Sequence, residues 1–470
     1  MAMCRWNSFR LARALTQWTV SMEALVNALV IFVLALLLAL VPAWVLWRSK
    51  VRPKGWRYLA LTSYHAFFCL LLVLLLNGLP GFFVQNSEVY ANVRLLEPDA
   101  TAVQRPIVLI DNSGNKQLVP DPDGNLEDST VLVVTDRAKL ARLLHRLAEH
   151  QEHIGQVVVD IQFVDPSPAD SALREAVLDL AVHGKVLLAR AREENTDALR
   201  FGSDVMADVT EHQQEDLIAW HRSARAEGHS LPYTLFLRLH HRNAEPFALR
   251  LWKESGGDAP ARLVFPGFMP TWSYLPTAGE EPVGRDVLPM PIGHALDAGW
   301  DRLLRRLTTA DGPAPVIFIG EFPAMAKEAS SDVHRTYLGE HTGSAMLINL
   351  FHELERGAHV VKGSTLLILF GVLMLCTAWT FFRAWPGKSE PPPTTFGAIV
   401  GKYVEDALKN LIPFVLLIVV VWAMRRITGQ QMNLPPLLLY FAALTSLVEA
   451  IRRVRQRERD LANAKTDARP

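Results

Sequence analysis

The chain has 470 residues, and its 48 Lys plus Arg balance 48 Asp plus Glu, so its formal net charge is zero. The balance averages two unlike parts, because residues 85–362 hold 27 basic and 40 acidic residues and the remainder holds the opposite excess. An acidic segment of this size argues against nucleic acid as a partner. All three cysteines lie outside it, so it folds without disulfides.

The first 84 residues predict a tail, residues 1–20, and then two membrane-spanning helices within residues 21–84. Ala24–Trp47 is an apolar run long enough to cross a bilayer, and it ends in tryptophan and arginine rather than in the small residues of a signal-peptide cleavage site. A short basic loop follows, which predicts a cytoplasmic location. Leu59–Val84 is the second predicted span, and its His65 is expected near the headgroup level.

Residues 85–362 predict a domain built around Gln156–Asp170 (QVVVDIQFVDPSPAD), a β-branched run that passes through acidic and proline-rich turns into a helix. An amphipathic leucine pattern precedes this stretch and another apolar strand follows it. The resulting β-α-β-α-β order predicts a mainly parallel sheet covered by helices. Strands are predicted at Pro106–Ile110, Val131–Thr135, Gln156–Ile161, Lys185–Ala189, Tyr233–Leu239 and Val316–Gly320, and helices at Arg137–His150, Asp170–His183, Asp297–Leu307 and Ser344–Arg356.

The interval from about Arg200 to Leu296 is rich in Pro, Gly and Trp and has weak periodicity. Irregular insertions with a few antiparallel edge strands are expected there.

Residues 363–451 predict three further spans, and residues 452–470 predict a basic cytoplasmic tail. Thr365–Phe382 is the clearest of the three, whereas Leu411–Met424 and Leu434–Ala450 are shorter and are expected to form a hairpin. Five arginines within Arg452–Arg459 predict a cytoplasmic C-terminus. The predicted fold class is therefore an α/β extracytoplasmic domain with a mainly parallel sheet, plus an α-helical membrane domain of about five transmembrane helices.

A family resemblance rests on four stretches within this arrangement: Ile107–Asp111 (IVLID), Val157–Asp170, Ala172–Leu180 (ALREAVLDL) and Val316–Gly320 (VIFIG). A later run extends from Asp332 through His334 and Thr336 to Gly339. Together these features resemble the CHASE2 family, extracytoplasmic sensor domains of bacterial receptors that are followed by three transmembrane helices. Two departures stand out: Tyr337 takes the place of a family proline, and Gly343–Ile348 lacks a family histidine.

Candidate ligand-binding residues follow from these strand ends. Asp111, Asp160 and Asp165 end or follow predicted parallel strands, and open α/β sheets bind ligands beyond the carboxyl ends of their strands. Converging carboxylates can bind a cation or a polar ligand. The alternative is that they cap helices and satisfy loop amides. Asp332 and His334 form a second candidate pair, for which a role in loop structure is the alternative.

No catalytic or metal-binding motif is present in the sequence. A Walker loop, a dinucleotide fingerprint, a nucleophile elbow and a CxxC pair are all missing, and the Asp332–His334 pair has too few ligands for zinc. We therefore expect neither catalytic residues, nor a metal site, nor a cofactor, and no enzyme activity. Fourteen of the fifteen histidines lie within residues 85–362, which suggests pH sensing, but their scatter favours ordinary structural roles.

These features predict a multi-pass membrane protein whose extracytoplasmic domain perceives a signal, and the resemblance to the CHASE2 family implies that the membrane is a bacterial inner membrane and that the domain is periplasmic. The cytoplasmic pieces are too small for a kinase or cyclase, so the signal is expected to pass to a separately encoded cytoplasmic signalling or effector protein. The alternative function is a structural scaffold or assembly subunit of a membrane or envelope complex without a small ligand. A transporter is less favoured because charged residues lie at span ends. Besides the lipid bilayer, a homodimer is expected by analogy alone.

Overall fold

The computed structural model describes residues 55–76, 105–120, 131–163, 165–190, 204–209, 212–214, 217–225, 228–247, 251–268, 287–308, 312–322, 333–336, 339–382, 415–419 and 434–467, with a few single positions between them. Internal contacts divide the chain into two units, Asn86–Val360 on the one hand and Met1–Gln85 with Val361–Pro470 on the other.

The larger unit is organised by a six-stranded sheet in which every neighbouring pair is parallel. The central strands are buried along their whole length and mostly apolar, as is typical of a parallel sheet covered on both faces. The strands, in spatial order, are β12 (Val287–Pro291), β1 (Ile107–Asp111), β13 (Val316–Gly320), β4 (Gln156–Val159), β5 (Val186–Arg190) and β6 (Met206–Asp208).

Helices cover both faces of this sheet, and alternate residues of the strands point into two separate cores. One core holds the side chains of Val108, Val157 and Ile317 under α2 (Arg137–Ala148), α3 (Asp170–Val182), α5 (Ile292–Asp297) and α6 (Trp300–Leu307). The opposite core holds Leu109, Val158 and Phe318 under α4 (Leu231–Leu239) and α7 (Gly343–Glu355).

The described residues of this unit also form three small sheets. A hairpin pairs β2 (Lys116–Pro120) with β3 (Val131–Thr135). A three-stranded antiparallel sheet has the order β11 (Arg262–Val264), β10 (Trp252–Gly256), β9 (Arg242–Pro246). A four-stranded sheet has the order β15 (Gly339–Thr342), β14 (Val333–Thr336), β8 (Leu217–Trp220), β7 (His212–Gln214).

The predicted parallel sheet and most predicted elements are confirmed to within a few residues. Two expectations were wrong in detail. Tyr233–Leu239 belongs to the helix α4, which is buried almost all round, so its apolar residues show no helical period that distinguishes it from a buried strand. Val131–Thr135 is a strand, but it pairs with β2 and stays outside the main sheet.

In the other unit, α1 (Trp56–Leu76), α8 (Gly363–Phe382) and α9 (Leu434–Asp467) share one buried apolar cluster. Among the described residues α8 is the one helix long and apolar enough to cross a membrane. α9 continues through the predicted tail as a single helix of 34 residues. The predicted span Ala24–Trp47 lies almost wholly outside the described residues, as does most of Leu411–Met424.

His65 of α1 is buried within this unit. It is 4% exposed, and its Nε2 lies 2.6 Å from the hydroxyl of Tyr440 on α9. This hydrogen bond joins two helices that stand at opposite ends of the chain.

Candidate functional site

Two of the predicted acidic residues meet at the carboxyl edge of the main sheet. Asp111 ends β1 and Asp160 follows β4, and these two strands lie on either side of β13. Backbone hydrogen bonds extend the pairing past the strand ends, from Asn112 N to Gly320 O at 2.8 Å and from Asp160 N to Ile319 O at 2.8 Å. We call the group Asp111, Asn112, Asp160, Gly320 and Ser344 the crest.

The carboxylate of Asp111 accepts hydrogen bonds from donors of its own chain. It is 6% exposed, and its Oδ1 accepts hydrogen bonds from Ser113 N at 3.1 Å and Phe322 N at 3.1 Å, while Oδ2 accepts one from Ser113 Oγ at 2.8 Å. The carboxylate thereby fixes the loops that follow β1 and β13. This geometry is that of a side chain which satisfies loop amides.

Asp160 connects the crest to α7. Ser344 in the first turn of that helix donates a 2.6 Å hydrogen bond to Asp160 Oδ2, and its Oγ accepts one from Glu321 N at 3.2 Å. Thr342 caps the helix by accepting from Ala345 N. Gly320 is required for this close approach, because a Cβ there would overlap Ser344 Oγ and lie 3.4 Å from Asp160 Cβ.

Two buried asparagines beside Asp111 escaped sequence reasoning. Asn112 and Asn115 are 0% and 1% exposed, and Asn115 Nδ2 donates to Asn112 Oδ1 at 2.9 Å and to Asp136 O at 3.1 Å. Among the described residues, Asn112 Nδ2 and Asn115 Oδ1 have no hydrogen-bond partner. Buried polar atoms of this kind are ordinarily satisfied by water or a ligand. The run DNSGN after a buried strand was the available signal in the sequence, but only its aspartate was considered as a candidate ligand-binding residue.

The other predicted site residues do not join the crest. The backbone carbonyl of Asp165 accepts a hydrogen bond from Arg137, whose guanidinium also pairs with Asp170 at the start of α3. Asp332 lies outside the described residues. His334 stands on β14 opposite His341 of β15, in the four-stranded sheet.

No group of three or more His, Cys, Asp or Glu side chains that could hold a metal ion occurs within the described ranges. Both oxygens of Asp111 already accept hydrogen bonds from loop groups, as described above. The crest is therefore better suited to a neutral polar ligand or water than to a bare cation.

A second polar group, not predicted, is buried between α4 and the three-stranded sheet. Glu254 is fully buried and accepts hydrogen bonds from Tyr233 Oη at 2.7 Å and Arg262 Nε at 2.7 Å. His359 Nε2 lies 2.8 Å from Glu254 Oε1, and Arg242 Nη1 lies 4.0 Å from Oε2. These residues come from five separate parts of the chain, so no local pattern could have predicted their meeting.

Ionisation in this group is set by burial and charge together. Burial alone would raise the pKa of Glu254, but hydrogen bonds from His359 and Tyr233 and nearby positive charge outweigh it and hold the pKa at about 2. Burial lowers the pKa of His359, and the adjacent Glu254 offsets only part of this effect. At neutral pH the carboxylate is ionised and the imidazole is neutral.

Comparison of the chain with known protein families, curated proteins and solved structures finds no match.

Proposed function

We propose that this chain is a multi-pass membrane sensor of the CHASE2 kind. Residues 85–362 perceive a signal outside the inner membrane, and about five transmembrane helices relay it to a separately encoded cytoplasmic partner. The action is conformational and involves no catalysis. Relay requires a signal that favours one arrangement of the helices over another.

The observation that carries this proposal is the path of α7. Its first turn is bonded to the crest through Ser344 and Asp160, and seven residues separate its last residue, Glu355, from the start of α8. At 1.5 Å per residue its 13 residues form a rod about 20 Å long. A change at the crest therefore has a direct covalent route to the one apolar helix of spanning length in the described part of the chain.

Exposed apolar side chains in the helical unit support a membrane location. Leu367, Leu375 and Phe382 on α8 are 72%, 62% and 52% exposed, and Phe67 on α1 is 52% exposed. Apolar surface of this extent is costly in water and favourable in lipid. The arginines of α9 follow its apolar half, as expected for a helix that leaves the membrane on the cytoplasmic side.

Cysteine labelling in intact cells tests the topology. In a Cys4→Ser background, Glu245→Cys places a thiol at a position whose side chain is 63% exposed, and Arg457→Cys places one on the exposed face of α9. We expect a membrane-impermeant maleimide to label the first in intact cells and the second only after permeabilisation. The native Cys69 and Cys376 are buried, and the parent protein measures their background. Labelling of both positions, or of neither, in intact cells would contradict the topology.

A structural scaffold remains the second candidate function. It is favoured by Asp111, whose carboxylate oxygens accept hydrogen bonds from the chain's own donors, as in a purely structural loop. The two functions differ in whether a change at the crest reaches the end of α7, which can be measured directly in the full-length protein.

A further inference from the structure

The segment between α7 and α8 is held by an ordered turn. α7 ends in a Schellman motif, in which Gly357 has φ of 74° and donates to Leu354 O at 2.9 Å while Ala358 donates to Glu353 O at 3.0 Å. A left-handed backbone of this kind favours glycine. The turn delivers His359 into the interior of the domain, four residues before α8 begins.

His359 and its neighbour extend the three-stranded sheet. Phe265 N donates to His359 O at 2.9 Å, and Val360 forms an antiparallel bridge with Val264 at the end of β11. The backbone before α8 is thus tied to the same small sheet that holds Glu254 on its middle strand.

The imidazole of His359 is enclosed by groups from every element packed against it. α4 contributes the Tyr233 hydroxyl and the Phe236 ring, with ring centroids 5.7 Å and 5.1 Å from that of His359. The three strands β10, β11 and β9 contribute Glu254, Arg262 and Arg242 respectively. The His229 ring, on the loop before α4, stands edge-on to Tyr233 with centroids 5.3 Å apart.

The charges around His359 disfavour protonation of its ring. One carboxylate already faces two guanidinium groups, and His359 is fully buried with no hydrogen-bond partner for Nδ1 among the described residues. A protonated ring would place a further positive charge in a site without water contact, which is unfavourable. Acid therefore favours states in which His359 has left the site.

We propose that His359 and Glu254 form an acid-sensitive latch, which holds the chain just ahead of α8 and releases it when the extracytoplasmic pH falls. Release frees the segment 356–362 while the main sheet stays folded. The consequence for signalling rests on the proposed function, because only a domain exposed to the outside medium experiences such acidification. The latch itself is a property of the domain and is measurable whatever the topology.

The direction of the pH effect follows from the lowered pKa of His359. A histidine whose folded-state pKa lies below the ordinary 6.5 contributes stability that is present above pH 6.5. That stability is lost as the pH falls from 6.5 through the folded-state value. Over this window the opening equilibrium rises by up to about tenfold for each pH unit.

Hydrogen exchange of the full-length protein in lipid nanodiscs between pH 7.5 and 5.0, corrected for intrinsic exchange rates, tests the latch. We expect the Phe265 amide and the segment 356–362 to lose protection below pH 6.5, while the strands β1, β4 and β13 keep theirs. His359→Gln retains an amide donor for Glu254 but cannot titrate, so its junction is expected to stay protected in acid. The exposed His183→Gln is the matched control and is expected to respond like the parent.

His352 on α7 is the rival acid-sensing group, since it is 3% exposed and burial and the charge of Arg356 lower its pKa to about 4. His352→Gln is expected to keep the junction response. The latch is overturned if the parent junction shows no acid response, if it opens only together with the main sheet, or if His359→Gln responds like the parent. The first two outcomes are measured on the parent protein, so the latch can be disproved even if the His359→Gln protein fails to fold. These outcomes are independent of the cysteine-labelling result, which tests the topology.

Discussion

At the scale of single residues, the contacts of Asp111 bear on whether the crest binds a ligand or belongs to a structural loop. Its oxygens accept three hydrogen bonds from Ser113 and Phe322, two of them at the same oxygen, Oδ1. An asparagine can keep its Oδ1 in that place and turn its amide toward the Ser113 hydroxyl. Alanine instead leaves the amides of Ser113 and Phe322 without this acceptor, and the hydrogen bond of the second is buried.

We therefore expect Asp111→Ala to lower the free energy of unfolding by about 2–4 kcal/mol and Asp111→Asn by under about 1 kcal/mol. The measurement is thermal and denaturant unfolding of the full chain in one detergent. Asp179→Asn is the control, since that side chain is 52% exposed and pairs with His145 at the surface. Equal losses for Asp111→Asn and Asp111→Ala would show that the charge itself matters, as it does in a site that binds a cation.

The crest also shows how far residue-level prediction reaches. Asp111 and Asp160 were predicted to converge beyond the carboxyl ends of parallel strands, because apolar runs that end in acids define that edge of a parallel sheet. Ser344 was not predicted as a partner, since it comes from a part of the chain 184 residues beyond Asp160. Contacts of such separation depend on the fold and leave no local pattern.

At the scale of elements, the hydrogen bond between His65 and Tyr440 joins α1 to α9. The distance of 2.6 Å and the 4% exposure of His65 indicate a formed bond in the interior of the helical cluster. In the proposed membrane setting such bonds between helices contribute about 0.6–2 kcal/mol, a modest gain because the unfolded chain in the membrane also finds hydrogen-bond partners.

A double-mutant cycle with His65→Ala and Tyr440→Phe is expected to give a coupling energy in that range. Unfolding of the full chain in one detergent supplies the four free energies. Ser446→Ala on α9 is the control, since Ser446 is exposed and its hydroxyl donates to Ala442 O of its own helix. Additive effects of the two substitutions would mean that the bond contributes nothing to helix packing.

The elements differed in how well local pattern defined them. The strand Val316–Gly320 was predicted with its observed bounds, and α8 begins at Gly363 where Thr365 was predicted. α4 was misassigned because six of its nine residues are buried, between the main sheet and other elements, so neither face is polar. Pro232 in its first turn is typical of a helix start and was the overlooked signal.

At the scale of the whole molecule, the sequence defined an acidic α/β domain between apolar segments, and the parallel sheet is confirmed. The number of spans and the sensing role stay predictions. The buried group around Glu254 was beyond prediction, because its members are polar residues dispersed over residues 233–359 in a region without periodicity. Charge burial of this kind is specified by tertiary structure alone.

The last prediction concerns transmission along α7. If this helix moves as a rod between the crest and the latch, loosening its first turn must alter protection at its far end. Ser344→Ala removes the hydrogen bond to Asp160, which corresponds to about 1 kcal/mol and hence a several-fold change in a local opening equilibrium. We expect the Phe265 amide of the full-length protein at pH 7.5 to exchange several-fold faster in this variant.

Ser167→Ala is the control, because Ser167 is 9% exposed and bonds to Gln117 away from α7. A change confined to the crest, with the far end of α7 as protected as in the parent, would rule out relay through this helix and favour the scaffold, since a scaffold needs a stable crest but no communication from it.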